Sequence, residues 1–171
     1  MLDNIDISKV CCFTGHRPSK LPWGYDESNP KCEEIKKTLK KECEKLIEKG
    51  VAHFVTGMAL GFDMICADVI LDLKKKYPFI KLYGAIPCSD QCSRWHAESQ
   101  YRYELILKSL EDFRCVFVKY TPYCMQERNQ FMVDHSMYVI TYYDGSKGGT
   151  QNTIKYAIHK QRRIINIKVE E

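Results

Sequence analysis

The chain has 171 residues, of which 44% are hydrophobic and 28% charged, with a formal net charge of +4. That length suits one domain around one hydrophobic core, and the balance excludes a disordered or fibrous chain. The mild charge admits an anionic ligand but lacks the strong basic field of a dedicated nucleic-acid binder, which makes nucleic acid a poor candidate partner.

The chain opens on Met1 to Ser8, which is acidic and lacks a basic and apolar leader pattern, so a cytoplasmic protein is expected. The first strand is predicted at Val10–Thr14 and runs into Thr14-Gly15-His16-Arg17-Pro18. Glycine there lets the backbone turn and approach a ligand, and Arg17 carries a planar fork of donors suited to phosphate. A turn glycine beside a solvated arginine would read the same. Pro18 to Asn29, rich in proline, glycine and aromatic residues, reads as a functional loop beside the strand's end.

Asn29-Pro30 is a cap and first-turn pair, and Ile35, Leu39, Cys43, Leu46 and Ile47 form one helical stripe that Gly50 ends. The second strand, Val51–Thr56, leads into Thr56-Gly57-Met58-Ala59-Leu60-Gly61-Phe62-Asp63. A helix then follows on Phe62, Ile65, Cys66, Val69, Ile70 and Leu73. Backbone N–H groups at that helix start favour an anion. Asp63 either caps the helix or accepts a hydrogen bond from a ribose hydroxyl.

A third strand is predicted at Phe79–Ile86, and a third helix from about Ser93 to Leu110 on Trp95, Tyr103, Ile106, Leu107 and Leu110. Trp95 either stacks on a base or packs beneath its helix. Cys88, Cys92 and His96-Ala97-Glu98 have the wrong order and spacing for a zinc deaminase, and the five histidines are scattered, so no metal site is expected. The nine cysteines, several of them in apolar stretches (Cys11, Cys12, Cys66, Cys115), read as reduced thiols packed as small hydrophobes.

A fourth strand is predicted at Cys115–Val118, then a short helix at about Gln126 to Asp134 that carries Arg128-Asn129 toward a cleft or toward solvent. The fifth strand, Met137–Tyr143, is among the longest apolar runs and far too short to span a membrane. It ends in Asp144-Gly145-Ser146-Lys147-Gly148-Gly149-Thr150, where Gly148 and Gly149 suit a nest of N–H groups and Thr150 adds a donor. The last helix, about Thr150 to Lys160, precedes a sixth strand at Ile164–Val169.

Strands alternating with helices imply parallel βαβ crossovers. The expected fold is therefore α/β: one domain over residues 1–171, a doubly wound Rossmann-like parallel sheet of about six strands with helices on both faces. Ligands of such sheets bind outside the carboxyl ends of the strands, where strand order reverses. Three of those ends carry glycine loops.

Together, Thr14-Gly15-His16-Arg17-Pro18, Thr56 to Asp63, Trp95, Arg128-Asn129 with Met132-Val133-Asp134, and Gly148-Gly149-Thr150 resemble the YpsA-like family of the SLOG superfamily. That superfamily is named after the DNA-processing protein DprA and the LOG phosphoribohydrolases. The resemblance covers about Lys9 to Lys168. It implies a nucleotide-derived ligand such as ADP-ribose, held by Gly15, His16 and Arg17 in the first loop. Gly57, Gly61 and Asp63 would serve in the second, and Gly148, Gly149 and Thr150 in the third, with Trp95, Asn129 and Asp144 as further ligand contacts. LOG enzymes carry P-G-G-x-G-T-x-x-E. Here Gln151, Asn152 and Thr153 follow the third loop, so that carboxylate is absent, and Asp63, Glu127 and Asp144 are the nearby alternatives, with Asp63 and Glu127 the catalytic candidates.

The leading expectation is a sensor or regulator that holds a small nucleotide-like molecule and reports on it to a protein partner, without a membrane. Two alternatives stand beside it: a hydrolase or transferase acting at the N-glycosidic bond of a nucleotide, and a single-stranded nucleic-acid binder of the DprA kind, for which the charge of +4 is thin support.

Overall fold

The run Val-Cys-Cys-Phe-Thr-Gly forms β1 (Val10–Gly15), whose first five residues are buried. Its side chains alternate between two cores, Cys11 and Phe13 facing one and Val10 and Cys12 the other. A strand covered on both faces has no polar side, so its sequence is a continuous apolar run. The protein's structure, a computed structural model, is described for residues 1–168.

Among these residues β1 lies in a six-stranded sheet with β2 (His53–Thr56), β3 (Lys81–Cys88), β4 (Asp112–Phe117), β5 (Tyr138–Tyr142) and β6 (Arg163–Asn166). The order is β4-β3-β2-β1-β5-β6 and every pairing is parallel. One face is covered by α1 (Pro30–Glu48), α2 (Phe62–Lys76) and α3 (Ala97–Ser109), the other by α4 (Cys124–Asp134) and α5 (Gly149–His159). This is the Rossmann-like α/β architecture that the alternating pattern predicts. No described helix is long and apolar enough to cross a membrane.

Local signals act where the sequence places them. The Asn29 side chain accepts from the Lys31 N–H at 2.9 Å and Pro30 opens α1, whose stripe of Ile35, Leu39, Cys43, Leu46 and Ile47 is buried against the sheet. Two elements differ most from expectation. The helix predicted from Ser93 starts at Ala97, because residues 89–95 are taken up by turns closed by Gln91, Ser93 and Trp95 N–H groups. The strand expected at Cys115–Val118 begins at Asp112 and is an edge strand paired only with β3, so Cys115 is exposed and Val118 is 80% exposed. An edge strand has no second neighbouring strand to bury it. Val169 of the predicted sixth strand lies outside the described residues.

All nine cysteines are free and seven are buried. Burial pushes the Cys12 thiol up to about 12 and those of Cys11 and Cys66 well above the ordinary range, which keeps them protonated and unreactive.

The connections place the site. From β1 the chain moves to β2, β3 and β4 on one side, then crosses back through α4 to place β5 on the other side of β1. Strand order therefore reverses between β1 and β5, and Gly15 stands in register with Tyr142 across that boundary.

Candidate functional site

At the reversal the loops after β1, β2 and β5 surround a cleft of about 370 Å³, within the usual range for small-molecule sites. Gly15, His16, Arg17 and Lys20 form one wall, Ala59 and Asp63 another, Met125, Arg128 and Asn129 of α4 a third, and Gly148, Gly149 and Thr150 the last.

The first and third loops are tied together. His16, 3% exposed, places Nε2 2.7 Å from Asp144 Oδ1. The Asp144 main-chain N–H approaches the same Nε2 at 3.3 Å, so both the carboxylate and the backbone of Asp144 meet the ring there. Ser146 and His16 hold the Asp144 carboxyl far below the usual carboxylate range. Lys20 Nζ donates to the Lys147 carbonyl at 2.8 Å and to Ser146 Oγ at 3.2 Å, so a cation from the first loop fastens the third. Leu21 and Trp23 anchor the segment behind Lys20, with Trp23 buried edge-on against Tyr142 at 5.4 Å. Of the Pro18–Asn29 stretch, Ser19 and Lys20 line the cleft, Leu21 and Trp23 pack into the core, and Tyr25 is exposed.

The third loop presents main-chain donors. Gly148 caps α5 with φ +147°, a conformation that favours glycine, and the first-turn N–H groups of Gly149 and Thr150 have no intrahelical acceptor. Such a helix start is suited to an anion.

In the second loop several polar groups already have partners within the protein. Arg128 Nη1 donates to the Gly57 carbonyl, Met58 N–H to Thr56 Oγ1 at 3.2 Å, Ala59 N–H to Asp63 Oδ2 at 3.3 Å, and Phe62 N–H to the His16 carbonyl at 3.2 Å. With Met58 held at φ +57°, the loop holds Arg128 at its Gly57 carbonyl and Asp63 at its Ala59 amide. Asp63 does not cap its own helix. It bonds back to Ala59 and lines the cleft.

Burial pushes the Asp63 carboxyl up from its ordinary value, against the pull of Arg128 and Arg17. Burial also lowers Arg128, which Asp63 opposes. Arg128 is 4% exposed, with Nε donating to Asn129 Oδ1 at 2.7 Å and Nη2 reaching Met125 Sδ at 3.8 Å. Arg17 approaches the same sulfur at 3.9 Å from the solvent side. Two guanidinium groups thus flank one carboxyl, leaving the cleft cationic.

Of the residues singled out in the sequence, Gly15, His16, Arg17, Asp63, Asn129, Gly148, Gly149 and Thr150 come together in the cleft lining. Asp144 stands behind His16. Gly57 lies against both Arg128 and Asp63, where an added Cβ would sit 2.7 Å from Asp63 Oδ2. Gly61 belongs to the neighbouring wall, against the His16 carbonyl. Trp95 is outside the lining and packs edge-on to Tyr103 at 5.4 Å. Glu127 is exposed on α4 and outside it as well. Sequence reasoning set Arg128 aside as equally a solvated residue and passed over Lys20. The signal for Lys20 is its place two residues beyond the Arg17-Pro18 turn.

The family model described as the YspA SLOG family matches residues 11–170. The chain is 35% identical over 142 residues to the uncharacterized SPbeta prophage-derived protein YoqJ of Bacillus subtilis (strain 168), covering 75% of this chain and 83% of that protein. It is 28% identical over 160 residues to a UPF0398 protein of Bacillus thuringiensis (strain Al Hakam), covering 92% and 86%. Among solved structures it resembles TM1055, a structural-genomics target, at TM-score 0.54 and 14% identity, covering 91% of this chain and 72% of that one. It also resembles the single-stranded-DNA-binding DNA processing protein A from Helicobacter pylori at TM-score 0.60 and 19% identity, covering 95% of this chain and 65% of that one. At those identities the structural likeness speaks to the fold.

Proposed function

Because the chain belongs to the YspA SLOG family, we propose that its strand-end cleft binds a phosphate-bearing, nucleotide-derived ligand such as ADP-ribose and acts as a sensor or regulator in the cytoplasm. The observation that carries this reading is the concentration of Arg17, Lys20, Arg128 and the start of α5 on one cleft at the strand-order reversal. Arg17 brings a planar fork from the rim and α5 brings main-chain donors from the floor, a pairing suited to a phosphate. Asp63 is the one carboxylate in the described lining, and it is engaged by Ala59. A ligand-linked change in the Lys20-fastened third loop would give a protein partner something to read.

Thermal unfolding with ADP-ribose, NAD, AMP, ribose 5-phosphate or a short single-stranded oligonucleotide tests it. A bound ligand at a hundred times its dissociation constant adds about 2.7 kcal/mol. Arg17→Ala, which removes an exposed side chain, is expected to weaken ligand binding about tenfold to a hundredfold, the loss of about 1.5–3 kcal/mol for a hydrogen bond to a charged group. Unchanged affinity in the folded variant would refute the site.

The buried Asp63 favours a second reading, hydrolysis or transfer at the N-glycosidic bond. Its pKa is raised by burial, and a carboxyl that keeps its proton to higher pH than usual is better suited to donate it to a leaving base. Release of free base from nucleoside monophosphates, abolished in Asp63→Asn, is the expected result of that reading. An equal rate in the variant eliminates it.

The DNA processing protein A likeness means that mild net charge alone does not set nucleic acid aside. The oligonucleotide measured at two salt concentrations separates that case, since strand binding weakens steeply with salt through counterion release.

A further inference from the structure

The anion cleft continues past Asn129. A second cavity of about 190 Å³ lies between α4 and the start of α5 and shares Met125, Asn129 and Gly149 with it. The lining changes character across that boundary. Arg17, Lys20, Arg128 and Asp63 line the cleft, whereas no residue lining the second cavity is charged. Its polar side chains are the carboxamides of Gln126, Asn129, Gln130 and Asn152 and the Thr153 hydroxyl, which donates to the Gly149 carbonyl at 2.9 Å, and its apolar walls are Pro122, Met125 and Tyr156.

Those carboxamides are largely uncommitted. Arg128 Nε, which can only donate, takes Asn129 Oδ1 at 2.7 Å and leaves the Asn129 amino group with its donors to offer. Among the described residues no hydrogen bond engages the side chains of Gln126, Gln130 or Asn152. Tyr156 is different: its hydroxyl is held by Asp134 at 2.9 and 3.1 Å, which fixes the ring as a wall. A carboxamide presents a donor beside an acceptor, which matches the edge of a nucleobase. Methionine, proline and a fixed aromatic ring suit its flat faces. The cavity is smaller than a whole-ligand site, so it takes one ring system and not a second nucleotide.

We propose that this α4–α5 cavity receives the base of a nucleotide whose phosphate lies in the anion cleft, with Gln126, Asn129, Gln130 and Asn152 selecting it. This rests on the phosphate-ligand reading and adds where the uncharged end of the ligand sits. It places the base away from Trp95, which is occupied by Tyr103. The rival location is the cavity behind Gly61, lined by Tyr25, Glu27, Glu98 and Arg102, whose carboxylates suit a neutral base less well.

Titration calorimetry with ribose 5-phosphate and with adenosine, guanosine, cytidine and uridine monophosphates tests the assignment, because sugar phosphate and nucleotide differ by the base alone. At least one nucleotide is expected to bind about tenfold more tightly than ribose 5-phosphate. In Gln130→Ala/Asn152→Ala that preference is lost while ribose 5-phosphate binds as before, which also shows the cleft intact. Should the double variant lose ribose 5-phosphate too, Gln126→Ala, exposed on α4, takes its place, and full preference in that variant overturns the assignment. Equal affinity of all five compounds for the unmodified protein overturns the base cavity and leaves the anion cleft standing. Loss of preference in Tyr25→Ala alone puts the base behind Gly61 and also overturns it. Failure of every compound to bind overturns the cleft reading and this inference together.

Discussion

Arg128→Met is expected to lower the unfolding free energy by about 1–3 kcal/mol at neutral pH, the usual cost of leaving a buried acceptor without its donor, with the lost attraction on the nearby Asp63 carboxyl adding to it. Methionine keeps much of the side-chain volume, so the loss reports charge and hydrogen bonding rather than a cavity. The variant strands the Asp63 carboxyl in its buried site and leaves the Gly57 carbonyl without its guanidinium donor. The two parts separate by pH. The folded pKa of Asp63 already lies above its ordinary 3.8 through burial, and removing Arg128 raises it further. A carboxyl whose folded pKa is raised favours the folded state below the unfolded pKa and loses that contribution as pH rises through the folded value. The deficit of Arg128→Met against the unmodified protein is therefore smallest near pH 4 and grows toward neutrality, above a constant part due to Gly57. Urea unfolding over that range measures it. A deficit that does not vary with pH would show that Asp63 is not what Arg128 compensates. Adding Asp63→Asn is expected to cost less than the sum of the two single changes, because neither charge is then left alone.

Gly61→Ala is expected to destabilise the protein by about 2–4 kcal/mol, combining an unfavourable backbone conformation with overpacking. Gly61 sits at φ +89° and ψ −126°, which a side chain resists, and its added Cβ would lie 2.6 Å from the His16 carbonyl and 3.0 Å from Pro18 Cδ. The carbonyl cannot give way easily, since it also accepts the first N–H of α2. Gly149→Ala is the contrasting case: nothing lies within 4 Å of its added Cβ, so its stability is expected to stay within about 0.5 kcal/mol. Comparable unfolding midpoints for the two variants would show that the contact between the β1 loop and α2 is not tight.

Much of the fold was legible because its signals are local. The Asn29-Pro30 start and Gly50 end of α1 act within a turn or two, and the apolar runs of β1 and β5 follow from cover on both faces. The same logic failed at β4. A short apolar run reads alike in the middle of a sheet and at its edge, and nothing in Cys115–Val118 records how many neighbours the strand has.

The site shows the same division. Gly15, Arg17, Gly148 and Gly149 could be picked out because glycine and arginine at strand ends have chemical meaning on their own. The roles of the second loop could not. Its Gly-Met-Ala-Leu-Gly sequence looks like an anion cradle, yet Arg128, seventy-one positions away, takes its carbonyl, and Asp63 takes its Ala59 amide. Trp95 likewise reads either as a stacking platform or as packing beneath its helix until Tyr103 is found edge-on against it.

The sequence by itself determined the alternation of strands and helices, the parallel sheet that follows from it and the three glycine loops, because periodicity and backbone freedom are properties of neighbouring residues. Only the tertiary structure decided that β1 and β5 lie side by side, that Lys20 and Arg128 complete the cleft and that an uncharged cavity adjoins it. Strand order and the burial of a charge depend on residues distant in the chain, whose approach is set by packing the whole sheet between its two layers of helices.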